Sequence, residues 1–377
     1  MKIGIIDADL LDKGTRFPNL ALMKISGYYK KENEVVLLDS YDDIPNYNKV
    51  FISKVFEFTK TPNLSIYDNV EIGGTGFFGV NAKDLPYEIE HHMPDYHLYD
   101  EYIEKEIARG VKPSKFKDYK DASIGFITRG CFRKCSFCVN RKYDKPVKHS
   151  DLEEFLDKDR KYMYFCDDNF LAYPGWEEEL EKIKKINKPF VFRQGLDIRL
   201  MTDKKAQVLS KMKYHGDWIF AFDNIKDRDL IESKLKLWKK YCKKQTKLYV
   251  LVAYDSQDVN DIINAFERIK ILMEHGCIPY IMRYKEYENS EMRGMYITLA
   301  RWCNQVSFYK KNSFRQYCRD VKSNGIGSSA YRYMIDFESK YPDVAKQYFD
   351  LRFEELNKYW LYLYNNIKVY IISCLED

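Results

Sequence analysis

The chain has 377 residues, 45% hydrophobic and 32% charged, with 17 Gly and 11 Pro, which excludes disordered, collagenous and low-complexity chains and leaves room for two or three domains. The 62 Lys and Arg exceed the 57 Asp and Glu by a net charge of +5, too little over this length to mark a nucleic-acid binder by itself. No run of 18 apolar residues occurs, and the most apolar late stretch, Trp360 to Leu375, is broken by Asn365, Asn366 and Lys368, so no membrane span is expected.

The chain opens MKIGIIDADL, with Asp7 and Asp9 where a secretory signal would carry its apolar core, and a cytoplasmic location is expected. Lys2 to Ile6 reads as a strand. A helix beginning near Pro18 and carrying Leu20, Leu22, Met23, Ile25 and Tyr28 follows, with further strands at Val35 to Leu38, Val50 to Val55 and Val70 to Ile72. Residues 1–84 therefore read as a small parallel α/β domain. The run Gly73-Gly74-Thr75-Gly76 closes it, either as a plain tight turn, the simpler reading, or as a cradle for a phosphate or nucleotide tail. Residues 85–120, charged and punctuated by Pro86, Pro94 and Pro113, read as a linker.

From Ser123 strands and helices alternate. Strands fit Ser123 to Thr128, Tyr162 to Cys166, Phe190 to Arg193, Trp218 to Phe222, Leu248 to Ala253 and Ile278 to Met282. Helices fit Trp176 to Ile186, Thr202 to Met212 with Thr202 as N-cap, Leu230 to Cys242 and Val259 to His275. Six βα units over 121–304 point to an incomplete βα barrel, whose reactive groups belong at the C-terminal ends of its strands. Residues 305–377, with a turn at Ser323 to Ser329 and a helical stretch from Tyr331 to Tyr364, read as a helical C-terminal extension.

Nine Cys, an odd number with uneven spacing, suggest metal-binding or catalytic thiols in a reducing compartment. The most specific feature is Cys131-Phe-Arg-Lys-Cys135-Ser-Phe-Cys138, directly after the first barrel strand. Three thiolates so close can wrap one side of a cubane cluster and leave one iron without a protein ligand. The alternative is a zinc site with His149 or Cys166 as fourth ligand, although this spacing is not that of a usual zinc knuckle.

This run, with Phe137 before its third Cys, resembles the hallmark of the radical S-adenosylmethionine (SAM) superfamily. The resemblance implies that Cys131, Cys135 and Cys138 hold a [4Fe-4S] cluster. SAM chelates the fourth iron and is cleaved to methionine and a 5′-deoxyadenosyl radical, with Phe137 shaping the adenine side. Phe165-Cys166-Asp167-Asp168-Asn169-Phe170 resembles the family's F-x-D-D-x-F segment and assigns the SAM amino group to Asp168, with Asp167 as the neighbouring candidate. Capping of the next helix is the plain alternative for both acids. Arg193 and Gln194 at the end of strand three are candidates for the SAM carboxylate or ribose, and Asp223 after strand four for SAM or substrate. Asp197 and Arg199 read equally well as a surface ion pair. The family's glycine-bearing adenine motif is not evident in Val250-Leu251-Val252-Ala253.

Residues 1–84 resemble the Rossmann-like cobalamin-binding domain that precedes many such barrels. Modules that ligate cobalt use D-x-H-x-x-G, and in Asp9-Leu10-Leu11-Asp12-Lys13-Gly14 the His position holds Leu11. A relic that has lost cobalamin is favoured over binding without a protein ligand. The fold class is thus α/β: a partial (β/α)6 TIM-type barrel preceded by a small Rossmann-like domain, with a helical C-terminal extension.

The remaining Cys166, Cys242, Cys277, Cys303, Cys318 and Cys374 are scattered singly, so one cluster is expected. Arg129, Arg133, Lys134, Arg141 and Lys142 flank the motif and suit an acidic, low-potential electron donor such as flavodoxin or ferredoxin, or an acidic substrate. Lys239 to Lys244 reads as a solvated helix end. The expected function is hydrogen abstraction from an unidentified substrate (small molecule, peptide or RNA). One alternative is a cobalamin- or sulfur-dependent methyltransferase or methylthiotransferase. Another, of a different class, is a non-catalytic zinc or iron-sulfur protein that binds nucleic acid.

Overall fold

The computed structural model describes residues 1–14, 17–320 and 324–357. The Trp360 to Leu375 stretch, Cys374, Ser323 and the part of the expected Tyr331 to Tyr364 helix beyond 357 lie outside the described residues. The chain divides into two compact units, residues 1–194 with 213–215, and the remainder.

In the first unit, β1 (Lys2–Asp7), β2 (Glu34–Leu37), β3 (Lys49–Ser53) and β4 (Val70–Gly73) form one parallel sheet in the order β2-β1-β3-β4. Ile3, Ile5 and Phe51 pack on one face against Leu22, Met23 and Ile25 of the helix Leu20–Tyr29, while Ile6, Val50 and Ile52 pack on the other. The helix starts where expected because the Asn19 side chain accepts from Leu22 N at 3.3 Å, satisfying a first-turn donor. Residues 85–120 are more than a connector. They carry the helices Tyr87–Glu90 and Asp100–Ala108, and Ile89, Tyr96, Leu98, Tyr99, Ile103 and Phe116 complete the same core as Ile3 and Phe51. Dense charge on their outer side hides the apolar stripe in the sequence.

The same unit holds β5 (Ala122–Gly125), β6 (Thr128–Arg129), β7 (Val147–Lys148), β8 (Tyr162–Phe165) and β9 (Phe190–Phe192). β5, β8 and β9 are parallel neighbours, and the register Gly125 to Phe165 to Phe192 levels their C-terminal ends. The first strand stops at Gly125, short of the expected Thr128, because Thr128–Arg129 turns away to pair antiparallel with Val147–Lys148.

The second unit contains β10 (Trp218–Ala221), β11 (Thr246–Val252) and β12 (Ile278–Arg283) as a parallel sheet in that order. Helices Asp203–Ser210, Arg228–Tyr241 and Val259–Glu274 alternate with these strands, and Thr202 caps the first, accepting from Lys205 N at 3.2 Å. Lys239 and Lys240 do lie in the last turn of the second. Arg268 is buried and donates to the strand-end carbonyls of Asp223 at 2.7 Å and Leu251 at 2.8 Å. Helices Arg293–Asn304, Phe314–Arg319, Ser329–Lys340 and Pro342–Tyr348 follow, and Phe314 and Tyr348 pack against Phe266. Each expected barrel strand has its counterpart. Among the described residues no helix is long and apolar enough to cross a membrane.

Candidate functional site

The antiparallel pair β6–β7 pinches residues 130–146 into a loop, and this loop carries Cys131, Cys135 and Cys138. Gly130 opens it with φ 101°, in the left-handed region, and a Cβ there would meet Tyr143 Cβ at 2.5 Å and the Lys145 carbonyl at 2.6 Å. Only glycine suits both demands. Cys138 N donates to Cys135 O at 3.0 Å, a turn that brings the second and third Cys together. Lys134, counted in the basic flank, folds back on the loop and donates to the Arg141 and Tyr143 carbonyls, each at 2.9 Å.

Donors point at the sulfurs. Cys131 Sγ accepts from Arg133 N at 3.4 Å and Asn169 Nδ2 at 3.2 Å, and Cys138 Sγ accepts from Asn140 N at 3.3 Å. Such N–H···S contacts stabilise thiolates that bind metal. Burial pushes the Cys138 thiol up, so a metal ion bound there would displace a proton. Asn169 is buried, and its Oδ1, beside the loop, lacks a hydrogen-bond partner. Three thiols on one loop, sulfur-directed donors and an orphaned acceptor together fit a cluster with an open coordination site.

A single-ion site fits less well. His149 Nε2 faces Glu90 at 3.4 Å and its ring stacks on His91, and burial pushes the Cys166 thiol up to about 12. Among the described residues, no three His, Cys, Asp or Glu side chains gather to hold one metal ion.

The two acids after β8 point opposite ways, as successive residues of extended chain do. Asp167 turns into the protein: it accepts from Thr128 N and Thr128 Oγ1, each at 2.6 Å, and from Ile127 N at 3.3 Å. Burial, against these three donors, raises its carboxyl to about 7. It is a tie between β8 and the β5–β6 turn, and neither acid is the cap of the next helix, which begins at Trp176 behind Gly175. Asp168 faces the loop, accepting from Gly130 N at 2.6 Å and from Asn140 Nδ2 at 2.7 Å. It therefore clasps the residues that flank the Cys run on both sides. Burial raises its carboxyl, while Gly130 N, Arg129 and Asn140 pull it down.

The other expected residues are more dispersed. Phe137 lies half-buried in the loop, and Gln194 is exposed just after β9. Arg193 stacks between Phe17 and Tyr164 and pairs with Asp118 at 3.6 Å. Asp223 belongs to the second unit, where burial raises its carboxyl to about 6. In that unit Arg199 meets Asp197 and Asp227, each at 2.7 Å, so the Asp197–Arg199 ion pair is real and extends to a third residue.

Two features escaped the sequence reading. Asn169 and Asn140 join the site through amides that no motif flags. A cavity of about 230 Å³ runs from Ser53, Gly73, Gly74 and Thr75 at the ends of β3 and β4 to Arg129, Asn140 and Asp168 beside the Cys loop. The glycine run fits the tight-turn reading, since a Cβ on Gly74 would meet the Lys54 carbonyl at 2.3 Å, and Gly73, Gly74 and Thr75 line the cavity. In the Asp9 to Gly14 run, Leu11 packs against the apolar cluster of Ile6 and Leu38, whereas Asp9 accepts from Val55 N at 2.6 Å and from Thr59 Oγ1.

No protein-family model matches the sequence. No curated protein matches it either. Among solved structures the chain is similar to the radical S-adenosylmethionine methyltransferase TsrM from Kitasatospora setae. The form with cobalamin and a [4Fe-4S] cluster bound matches with TM-score 0.50 and 11% identity over 75% of this chain and 74% of that one. The form with tryptophan substrate and the SAM analogue aza-SAM bound matches with TM-score 0.50 and 11% identity over 74% and 72%. At this identity the likeness is one of fold. It bears out a mixed α/β fold with parallel sheets and a Rossmann-like domain. The leaning against cobalamin gains no support, because that neighbour holds cobalamin.

Proposed function

We propose that this chain is a radical SAM enzyme in which Cys131, Cys135 and Cys138 hold a [4Fe-4S] cluster and SAM binds beside it. The construction of the Cys loop carries this reading: Gly130 opens the loop, Asp168 closes it and three N–H donors meet its sulfurs. A bound cluster supplies the electron that cleaves SAM to methionine and a 5′-deoxyadenosyl radical. The protein's part is to hold and orient. Asp168 and the unpartnered Oδ1 of Asn169 offer acceptors for the SAM ammonium, and Phe137 walls the adenine side. Gln194 is assigned to SAM in preference to Arg193, whose guanidinium is engaged by Asp118, Phe17 and Tyr164. Asp223 is kept as a contact for SAM or substrate. Asp167, buried against Ile127 and Thr128, is assigned a structural role. The core barrel spans 121–304, residues 1–84 with the layer 85–120 form the cobalamin-type domain, and 305–377 is an extension. A low-potential donor such as flavodoxin or ferredoxin delivers the electron.

A second reading, cobalamin-dependent methyl transfer, is favoured by the cavity that joins the glycine turn to the Cys loop and by the cobalamin in the TsrM structure. With Leu11 packed in an apolar cluster, a corrinoid here would take no lower ligand from that run.

Anaerobic purification from cells grown with and without hydroxocobalamin tests both. Four irons and four sulfides per chain, lost in Cys131→Ala, Cys135→Ala and Cys138→Ala, support the cluster. Corrinoid absorbance that co-purifies at one per chain supports methyl transfer. A chain that takes up only zinc contradicts both readings.

A further inference from the structure

Arg129 stands two residues before Cys131 and lays its guanidinium on Phe126, 4.1 Å from the ring centroid. Stacking occupies a face of the guanidinium and leaves the five N–H donors on its edge in need of acceptors. Among the described residues Nε, which is buried, has no hydrogen-bond partner. The nearest acid, Asp168, holds Oδ2 at 4.0 Å from Nε, which is attraction without a hydrogen bond.

Asp168 and Glu90, which line the same cavity, each hold other donors. Asp168 accepts from Gly130 N at 2.6 Å and Asn140 Nδ2 at 2.7 Å. Glu90 pairs with Lys24 at 2.9 Å and faces His149 at 3.4 Å. The Arg129 side chain keeps 23% exposure and lines the cavity of about 230 Å³.

We propose that Arg129 is the carboxylate anchor of this cavity, taking a ligand carboxylate edge-on in a two-bond fork. A monoanion suits the site better than a phosphate dianion, because Asp168 and Glu90 share the wall and repel a second negative charge. On the proposed radical SAM function, from which this identification of the ligand follows, the carboxylate has two sources: the methionyl end of SAM, or a second molecule that is the substrate.

Phenylglyoxal modification of the full-length protein, followed at Arg129 by peptide mass spectrometry at constant ionic strength, tests the anchor without turnover. Arg129 is expected to react in ligand-free protein, and acetate is expected to slow that reaction several-fold and saturably, more than phosphate does. Protection by SAM but not by methylthioadenosine, which lacks the amino-acid end, assigns the carboxylate to SAM. Protection by acetate with none from SAM assigns it to a second molecule. An Arg129 that does not react, that ignores acetate, or that phosphate protects as well as acetate does, overturns the proposal. The acetate arm is run with and without the cluster and needs no SAM cleavage. An anchor that stands while 5′-deoxyadenosine fails to form, or the reverse, separates this inference from the function it deepens.

Discussion

Asp168 accepts a hydrogen bond of 2.7 Å from the side-chain amide of Asn140. With its other oxygen on Gly130 N at 2.6 Å, one carboxylate after β8 closes the Cys loop at both ends. Asp168→Ala is therefore expected to loosen the cluster as well as to weaken SAM binding. Each lost charge-assisted bond costs about 1.5–3 kcal/mol. Iron and sulfide per chain after anaerobic gel filtration should fall well below wild type, with Asp168→Asn intermediate. Full retention in Asp168→Ala would show that the clasp is dispensable.

Gly130 carries the loop's entry. Gly130→Ala adds a left-handed penalty of about 1–2 kcal/mol to a collision with Tyr143 and Lys145 O. Cluster incorporation should drop several-fold while the far-ultraviolet circular dichroism, dominated by helices elsewhere, stays near wild type. A variant that reconstitutes normally contradicts the loop geometry.

Asn169 Nδ2 donates to Cys131 Sγ at 3.2 Å. Hydrogen bonds to a cluster's sulfurs stabilise its reduced, more negative state. Asn169→Leu should make the midpoint potential more negative in a redox titration followed by electron paramagnetic resonance. An unchanged or higher potential counts against the contact.

Asp7 in β1 accepts from Tyr99 Oη at 2.8 Å and Leu10 N at 3.1 Å, and burial raises its carboxyl from 3.8 to about 6. The folded chain thus holds this proton more tightly than the unfolded one. The stability it contributes is present below about pH 4 and is lost as pH rises through 6, a difference of about 3 kcal/mol. Urea unfolding between pH 4 and 7 should show that decline in wild type and a flatter profile in Asp7→Asn. Equal slopes reject the assignment.

Ala253, at the end of β11, has φ 62° and donates its N–H to Asp261 Oδ2 at 2.6 Å. Ala253 thus holds a left-handed backbone that glycine would suit better. Ala253→Gly should add about 0.5–1 kcal/mol and raise Tm by about 1 °C. A lower Tm would mean that the buried methyl matters more than the backbone.

The strands were legible because Val, Ile and Phe cluster in short runs, and Trp176–Ile186 was legible from its spacing. The layer 85–120 was not. Tyr96 and Tyr99 look like part of a general tyrosine abundance, yet Tyr96 Oη donates to Phe155 O at 2.6 Å and accepts from Ile124 N at 2.8 Å. Such bonds span residues far apart in the chain and leave no local pattern. Adjacent Asp167 and Asp168 are alike as letters, and only the direction of β8 decides that one is buried on Thr128 while the other clasps the Cys loop. Arg129 was visible as charge, but the missing hydrogen-bond partner of its Nε is a property of packing.

Anaerobic reconstitution with iron and sulfide, then addition of SAM and a strong reductant, tests the central claim most directly. The readout is 5′-deoxyadenosine by mass spectrometry, with Cys135→Ala as control. The account predicts product from the wild type and none from the variant. A wild-type chain that carries a full [4Fe-4S] complement and yields no 5′-deoxyadenosine contradicts it.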